Sequence, residues 1–281
     1  MGKIDAHELE VLREKCSTLP DGSHRKMKAR EPPTAQQIRD GHEGTDDFGW
    51  AVALAADQTD RILCTGILIS SHHVVSAGHC VFEKKEQVWN EDRKWIFLGA
   101  KCLFDSPMCR MVSKTRQIIE IRSVATTKTW ANPDGNDGDL AIIELAKPVE
   151  WFDVGGVEAA CLLPSNYVLP GYQPKFLQWG YGAIVDGLQS MSPILNILGN
   201  VRLEKCWHRN NASWYNPHDV LCPVTASVQQ RVGDGDSALI VGTLSFTDPE
   251  NPVINSAYYT DLRRYTRAIC EATGVCYMHK T

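Results

Sequence analysis

The sequence predicts an all-β protein of sandwich or barrel type with a helix at its C-terminal end. Short apolar runs recur from residue 48 onward, each rich in Val, Ile and aromatic residues and bounded by Gly, Pro, Asn or Asp. Each run is too short for a typical globular helix. The runs are WAVALA (50–55), ILCTGILI (62–69), HHVVSA (72–77), WIFLGA (95–100), QIIEIRSV (117–124), DLAIIEL (139–145), KFLQWGYGAIV (175–185), ILGNVRL (197–203), ALIVGTLSF (238–246) and SAYYTDL (256–262).

The two ends of the chain differ from this pattern. Residues 1–37 are polar and rich in Lys, Arg and Pro, with one short helical pattern at His7–Lys15, so they are predicted to form a leader or propeptide-like arm. At the other end, Asp261 can cap a helix over residues 262–273, and Gly274 follows as its stop signal.

Composition and charge exclude several classes of partner. The chain has 281 residues, 43% of them hydrophobic, and a formal net charge of −5. No basic stripe is present that would neutralise phosphates, so nucleic acid and acidic membrane surfaces are not expected partners. No window approaches the roughly 18 consecutive apolar residues of a membrane span, and the first residues lack the apolar core of a secretory signal.

The ten cysteines indicate an oxidised, exported protein, because an even number at this density permits complete pairing. A cytosolic protein with ten free thiols is the alternative. Zinc is disfavoured because no Cys-x2-Cys pair occurs, and no metal or organic cofactor is expected. The triplet Asn211-Ala-Ser213 is a glycosylation sequon, which makes Asn211 a candidate glycosylation site.

Three polar residues next to apolar runs carry the candidate chemistry. His79 lies in VVSAGHC, Asp139 opens DLAIIEL, and Ser237 lies in GDGDS. Nucleophilic catalysis by serine needs a hydroxyl, an imidazole that takes its proton, and a buried carboxylate that orients the imidazole. Gly235 would let the backbone turn sharply and present N–H groups to a developing oxyanion.

These motifs, in the order His, Asp, Ser, resemble the chymotrypsin/trypsin-like serine peptidase family. The similarity covers most of the chain from Ile38 to the end. Further matching segments are Ile38–Glu43 (the mature N-terminus), Ala160–Pro164 (the linker cysteine), Trp179-Gly180, and Tyr258–Arg267 (the final strand and terminal helix).

The resemblance implies two antiparallel six-stranded barrels with the triad in the cleft between them, an N-terminal barrel at about 38–150 and a C-terminal barrel with its helix at about 151–281. It makes Ser237 the nucleophile, His79 the general base and acid, and Asp139 the residue that orients it. The N–H groups of Gly235 and Ser237 would form the oxyanion hole.

The resemblance also implies a zymogen. Cleavage of the arm would free an ammonium group at Ile38 that pairs with Asp236. It implies three disulfides, and sequence proximity suggests two more. The pairs by resemblance are Cys64–Cys80, Cys16–Cys161 and Cys206–Cys222, and those by proximity are Cys102–Cys109 and Cys270–Cys276.

The sequence departs from the family pattern after the serine. One Ala separates Ser237 from LIVGTLSF, which leaves the segment about eight residues too short for a hairpin of two strands and a turn. The second barrel is therefore expected to lack or shorten one strand. The cysteine pair that braces the specificity pocket is absent, and Gln37 precedes Ile38 where a trypsin-like activator needs Lys or Arg.

Three functional interpretations follow. The first is a secreted, monomeric serine endopeptidase whose partners are protein or peptide substrates, protein inhibitors and an activating protease. The second is a catalytically impaired homologue that acts as a protein-binding module, which the altered segment after Ser237 favours. The third is a truncated isoform of an active peptidase.

Overall fold

The computed structural model describes the first barrel nearly completely and the rest of the chain in segments. The described residues are 1–17, 42–43, 48–58, 62–83, 88–99, 116–131, 138–151, 157–163, 165, 176–181, 195–205, 220–225, 230–231, 238–247 and 257–276. The helices among them are α1 (Ala6–Ser17), α2 (Lys128–Ala131) and α3 (Thr266–Thr273). The strands are β1 (His42–Glu43), β2 (Ala51–Ala55), β3 (Ile62–Leu68), β4 (His73–Ser76), β5 (Phe82–Glu83), β6 (Val88–Trp89), β7 (Trp95–Leu98), β8 (Gln117–Thr126), β9 (Ala141–Leu145), β10 (Cys161–Leu162), β11 (Phe176–Gly180), β12 (Asn196–Lys205), β13 (Val220–Thr225), β14 (Gln230–Arg231), β15 (Ala238–Ile240), β16 (Gly242–Thr247) and β17 (Ala257–Asp261).

Six antiparallel strands close into a barrel in the order β2-β3-β4-β9-β8-β7. The side-chain alternation of β8 shows why the sequence folds this way, since Ile119 and Ile121 are buried while Glu120 and Arg122 are exposed. β2 and β9 are buried at all five positions, as their almost unbroken apolar runs predict. The interior of this barrel forms most of the hydrophobic core.

A second β unit follows the barrel. Its larger sheet has the order β1-β12-β13-β17-β16, with β11 also paired to β12, and a separate three-stranded sheet has the order β10-β15-β14. Within the described ranges these strands do not form a second closed barrel. β1 belongs to this unit although its residues fall in the range predicted for the N-terminal barrel. The predicted all-β class is confirmed.

The short segment after residue 237 supplies two strands, not one. β15 pairs in parallel with β10 and antiparallel with β14, whereas β16 pairs with β17 in the larger sheet. Val241 separates them and is held by a bond from the N–H of Leu262 to its carbonyl, 3.0 Å long. The expected shortening is therefore visible as a strand of three residues and a direct change of sheet, because no residues are left for a turn.

Helix α1 packs against the barrel as part of the core. Leu12 is 4% exposed, and Cys16 forms a disulfide with Cys161. Lys15 Nζ donates to Glu158 Oε2 at 2.7 Å and to the carbonyl of Ala159 at 2.8 Å. These contacts join the described part of the predicted arm (residues 1–17) to the segment that links the two β units.

The residues before α1 also bind the barrel and the end of α3. The N–H of Gly2 donates to Glu144 Oε1 at 3.1 Å, and the N–H of Ile4 donates to the carbonyl of Thr273 at the end of α3 at 2.9 Å. The imidazole Nε2 of His73 lies 2.9 Å from the carbonyl of Gly2. Since a carbonyl only accepts, this nitrogen must carry a proton.

Burial acts on both ionisable groups beneath this segment. Desolvation lowers the pKa of His73 below its ordinary value, although the bond to Gly2 partly opposes the shift. Desolvation raises the pKa of Glu144, but hydrogen bonds from Ser123 Oγ and the Gly2 N–H, with nearby positive charge, outweigh it and leave the pKa below its ordinary value. His73 is therefore held neutral and Glu144 ionised near pH 7.

The C-terminal helix is close to its predicted position, with one correction. Asp261 accepts a bond from the N–H of Arg263 and so caps a 3-10 turn, Leu262–Arg264, that precedes α3 instead of capping α3 itself. Gly274 has φ of +80° and ends α3, as predicted. None of the described helices is long and apolar enough to span a membrane.

Candidate active site

His79 lies at the rim of the closed barrel, in a 3-10 turn (Gly78–Cys80) that follows β4 directly. The disulfide between Cys80 and Cys64 ties this turn back to β3. The side chain of His79 is 44% exposed. An imidazole is thereby presented to solvent from a backbone that is fixed on both sides.

Asp139 precedes β9 and receives two hydrogen bonds from His79. Its Oδ1 accepts from the backbone N–H of His79 at 2.9 Å, and its Oδ2 lies 2.8 Å from the imidazole Nδ1. The carboxylate is only 2% exposed, so both oxygens need these partners to offset desolvation. Because a carboxylate accepts, Nδ1 is assigned the proton, which leaves Nε2 of the neutral ring able to take one.

Three threonine hydroxyls hold the backbone around Asp139. Thr127 donates to the carbonyl of Gly138 at 2.7 Å, and Thr126 donates to the carbonyl of residue 140 at 2.7 Å. Thr260, on β17 of the second unit, donates to the carbonyl of Asp139 at 3.1 Å. The position of the acid is thus set from both β units, a feature that no local motif in the sequence indicated.

Ser237 and several other predicted site residues lie outside the described part of the chain. These residues are Gly235, Asp236, Ser237, Ile38 and Asn211. The described backbone resumes at Ala238, whose register partner on β14 is Arg231. The structure brings His79 and Asp139 together, and the role of Ser237 stays a prediction.

Three of the five expected disulfides are present among the described cysteines: Cys16–Cys161, Cys64–Cys80 and Cys270–Cys276. The pairs Cys102–Cys109 and Cys206–Cys222 involve side chains outside the described part. Sequence reasoning gave the first two present pairs by resemblance and the third by proximity.

One cluster in the described ranges has the spacing of metal ligands, formed by Cys64, His79 and Cys80. Its two sulfurs are bonded to each other and so cannot act as thiolate ligands. Cys80 Sγ lies 3.6 Å from His79 Nε2, which places the disulfide beside the nitrogen that would receive a proton.

A closed antiparallel barrel, a second β unit, and an exposed His79 bonded to the buried Asp139 at the barrel rim together define a protein of trypsin-like fold. The family model for trypsin matches residues 38–237. Because this match covers well over half of the sequence, the chain belongs to the trypsin family.

Individual relatives agree with this assignment. The chain is 30% identical over 160 residues to chymotrypsin-C of Mus musculus, covering 54% of each sequence, and 29% identical over 118 residues to serine protease 23 of Homo sapiens, covering 37% of this chain and 31% of that protein. It thus spans about half the length, or less, of these curated relatives. A solved structure described as "atomic resolution structure of HBP" matches with a TM-score of 0.60 at 18% identity, covering 82% of this chain and 94% of the other, which supports the fold alone.

Proposed function

We propose that this protein is a secreted serine endopeptidase in which Ser237, His79 and Asp139 form the catalytic triad. The observation that carries the proposal is the 2.8 Å contact between His79 Nδ1 and a carboxylate that is 2% exposed. A solvent-exposed imidazole oriented by a buried acid is the base that a serine nucleophile requires.

In the proposed reaction, Ser237 Oγ attacks the carbonyl carbon of a peptide bond while its proton passes to His79 Nε2. The resulting oxyanion accepts hydrogen bonds from the N–H groups of Gly235 and Ser237. The imidazolium then gives its proton to the leaving amine, the peptide C–N bond breaks and an acyl-enzyme forms. Water, deprotonated by the same imidazole, hydrolyses the ester and restores the serine hydroxyl.

The proposal includes activation from a zymogen. Cleavage before Ile38 would release an ammonium group that pairs with Asp236 and orders the oxyanion loop. The Cys16–Cys161 disulfide and the contacts of α1 support a two-chain product in which residues 1–17 stay attached after cleavage. The proposed partners are protein or peptide substrates, protein inhibitors and an activating protease, and the proposed active form is a monomer.

Export fits the disulfides, because three such bonds in one chain are typical of an oxidising compartment. Extracellular localisation remains part of the proposal. Its direct measurement is the presence of the endogenous protein, with intact disulfides, in the extracellular fluid.

A second candidate function is a protein-binding homologue without peptidase activity. The observation that favours it is β15, a strand of three residues that begins directly after Ser237 and passes into the other sheet at Val241. Catalysis depends on placing the nucleophile to within a fraction of an ångström, and so short a strand leaves little backbone to fix it. A truncated isoform of an active peptidase would give the same segment.

The test is labelling with a fluorophosphonate, which reacts only with a serine activated by its base and oxyanion hole. The protein would be folded under oxidising conditions and carry an inserted cleavage site before Ile38, so that the arm is cut but retained. Labelling of the cut form that is absent in Ser237→Ala and strongly reduced in His79→Ala supports the peptidase. A folded, fully disulfide-bonded sample that does not label contradicts it and favours the binding module.

A further inference from the structure

The backbone of Gly78, next to His79, lies in contact with the indole of Trp130. A Cβ atom at position 78 would fall 2.5 Å from Trp130 Nε1 and 2.6 Å from its Cδ1, distances that real Cβ atoms do not show. The same point lies 3.1 Å from Asp139 Oδ1. The indole edge and the buried carboxylate therefore both border the space that the glycine leaves open.

Trp130 is held in this place by its own helix. It lies in α2, and its backbone N–H donates to the hydroxyl of Thr127 at 3.0 Å. That hydroxyl in turn donates to the carbonyl of Gly138, the residue before the acid. Trp130 is 8% exposed. One short helix thus fixes both the backbone that leads into Asp139 and the ring beside its carboxylate.

We propose that Trp130 is a positioning residue for the His79–Asp139 pair, and that Gly78 is required because any side chain there would displace the indole. The catalytic meaning of this role rests on the proposed peptidase function, whereas the geometry does not. The carboxylate is 2% exposed while the imidazole bonded to it is 44% exposed, so neighbouring groups must exclude water from the acid. The indole does so on the side of Gly78.

The physical consequence follows from the local dielectric. An ion pair or charge-assisted hydrogen bond is several-fold stronger where water is excluded than where it is present. Moving the indole would admit water to Asp139, weaken its bond with Nδ1 and let the imidazole rotate. Nε2 would then no longer stay aligned for proton transfer.

The experiment uses three variants of the full-length oxidised protein: Gly78→Ala, Trp130→Phe, and the two combined. Gly78→Ala adds a methyl group where the indole lies, and Phe in place of Trp130 removes one ring. In the double variant the added methyl group fills part of the space that the smaller ring vacates. The double variant is therefore expected to recover part of what Gly78→Ala loses.

Two readouts separate positioning from mere folding. Proton NMR of nitrogen-15-labelled protein follows the Nδ1–H of His79 and its rate of exchange with water, and needs no activity. The second-order rate of fluorophosphonate labelling reports on the base. We expect faster Nδ1–H exchange in both single variants, a labelling rate about 10²-fold lower in Gly78→Ala, and recovery by about tenfold in the double variant.

Gly66→Ala is the matched control, because a Cβ at residue 66 would also clash, at 2.7 Å from Val74 Cγ1 and 2.9 Å from Val52 Cγ2, inside the barrel. It should cost stability while leaving the Nδ1–H signal unchanged. The proposal is overturned if Gly78→Ala retains slow Nδ1–H exchange, or if it affects this exchange no more than Gly66→Ala does. If the wild type does not label at all, the peptidase function fails, but the NMR comparison still decides the role of Trp130.

Discussion

The Cys16–Cys161 disulfide is expected to contribute more to stability than either of the other two described disulfides. It spans 145 residues, whereas Cys64–Cys80 spans 16 and Cys270–Cys276 spans 6. If cross-links act mainly by restricting the unfolded chain, the loop-entropy relation gives losses of roughly 5, 3 and 2 kcal/mol when each bond is removed. The Cys64–Cys80 bond lies inside the loop that Cys16–Cys161 closes and shortens it. This changes the expected loss for Cys16–Cys161 little, because the loop entropy depends on the logarithm of the loop length.

The assay is chemical denaturation of three double Cys→Ser variants, each folded oxidatively and compared with the wild type by intrinsic tryptophan fluorescence. Removing both partners of a pair leaves no unpaired thiol that could exchange with another bridge. The free energies of unfolding should fall in the order of loop length. A smaller loss for the Cys16–Cys161 pair than for Cys270–Cys276 would refute the reasoning and show that local strain or contact loss dominates.

Three further predictions concern the arm and its surroundings. Leu12→Ala should lower the free energy of unfolding by about 2–4 kcal/mol, whereas Val11→Ala, at a position that is 50% exposed, should change it by less than about 0.5 kcal/mol in the same denaturation assay. The folded-state pKa of His73 lies below its ordinary 6.5 and that of Glu144 below its ordinary 4.5, so the unfolded state binds these protons more readily. The contribution of these two groups to thermal stability should be constant above about pH 7.5 and be lost in two steps as the pH falls, first through the range of His73 and then through that of Glu144. His73→Gln should remove the upper step. Gly274→Ala should cost about 1 kcal/mol and lower the melting temperature, since residue 274 is left-handed and its Cβ would lie 3.3 Å from Ile4 Cγ1 in the arm; no loss of stability would mean that neither constraint holds.

Most of the longer strands could be predicted from the sequence because each coincides with a local apolar run, whereas the two-residue strands have no such pattern. All ten apolar runs overlap a strand, and the run at 238–246 overlaps two. The change of sheet at Val241 could not be predicted, since it depends on which sheet has a strand that can pair with each half of the run at 238–246. β13 was missed because Pro223 interrupts its apolar pattern, and a proline within a run argues against a strand.

The candidate site was predictable only where its residues stand in recognisable motifs. His79 and Asp139 were found because each adjoins an apolar run within a family motif. Trp130 and Thr260 act across distances of many residues, by a ring contact and a hydroxyl-to-carbonyl bond, and neither leaves a local pattern. The sequence predicts a separate leader because the polar composition of residues 1–37 hides the few apolar side chains that pack on the core, such as Leu12 and Ile4.

The docked arm also matters for anyone who produces this protein. A recombinant chain that starts at Ile38, chosen to imitate an activated form, would lose Cys16 and leave Cys161 as a reactive thiol in the oxidising folding mixture. It would also uncover the apolar surface under Leu12 and the buried carboxylate of Glu144. Such a preparation is expected to form incorrect disulfides and to aggregate. Its lack of activity would therefore say nothing about the native molecule. Co-expression of residues 1–37 as a separate chain, or cutting after folding, avoids this false negative.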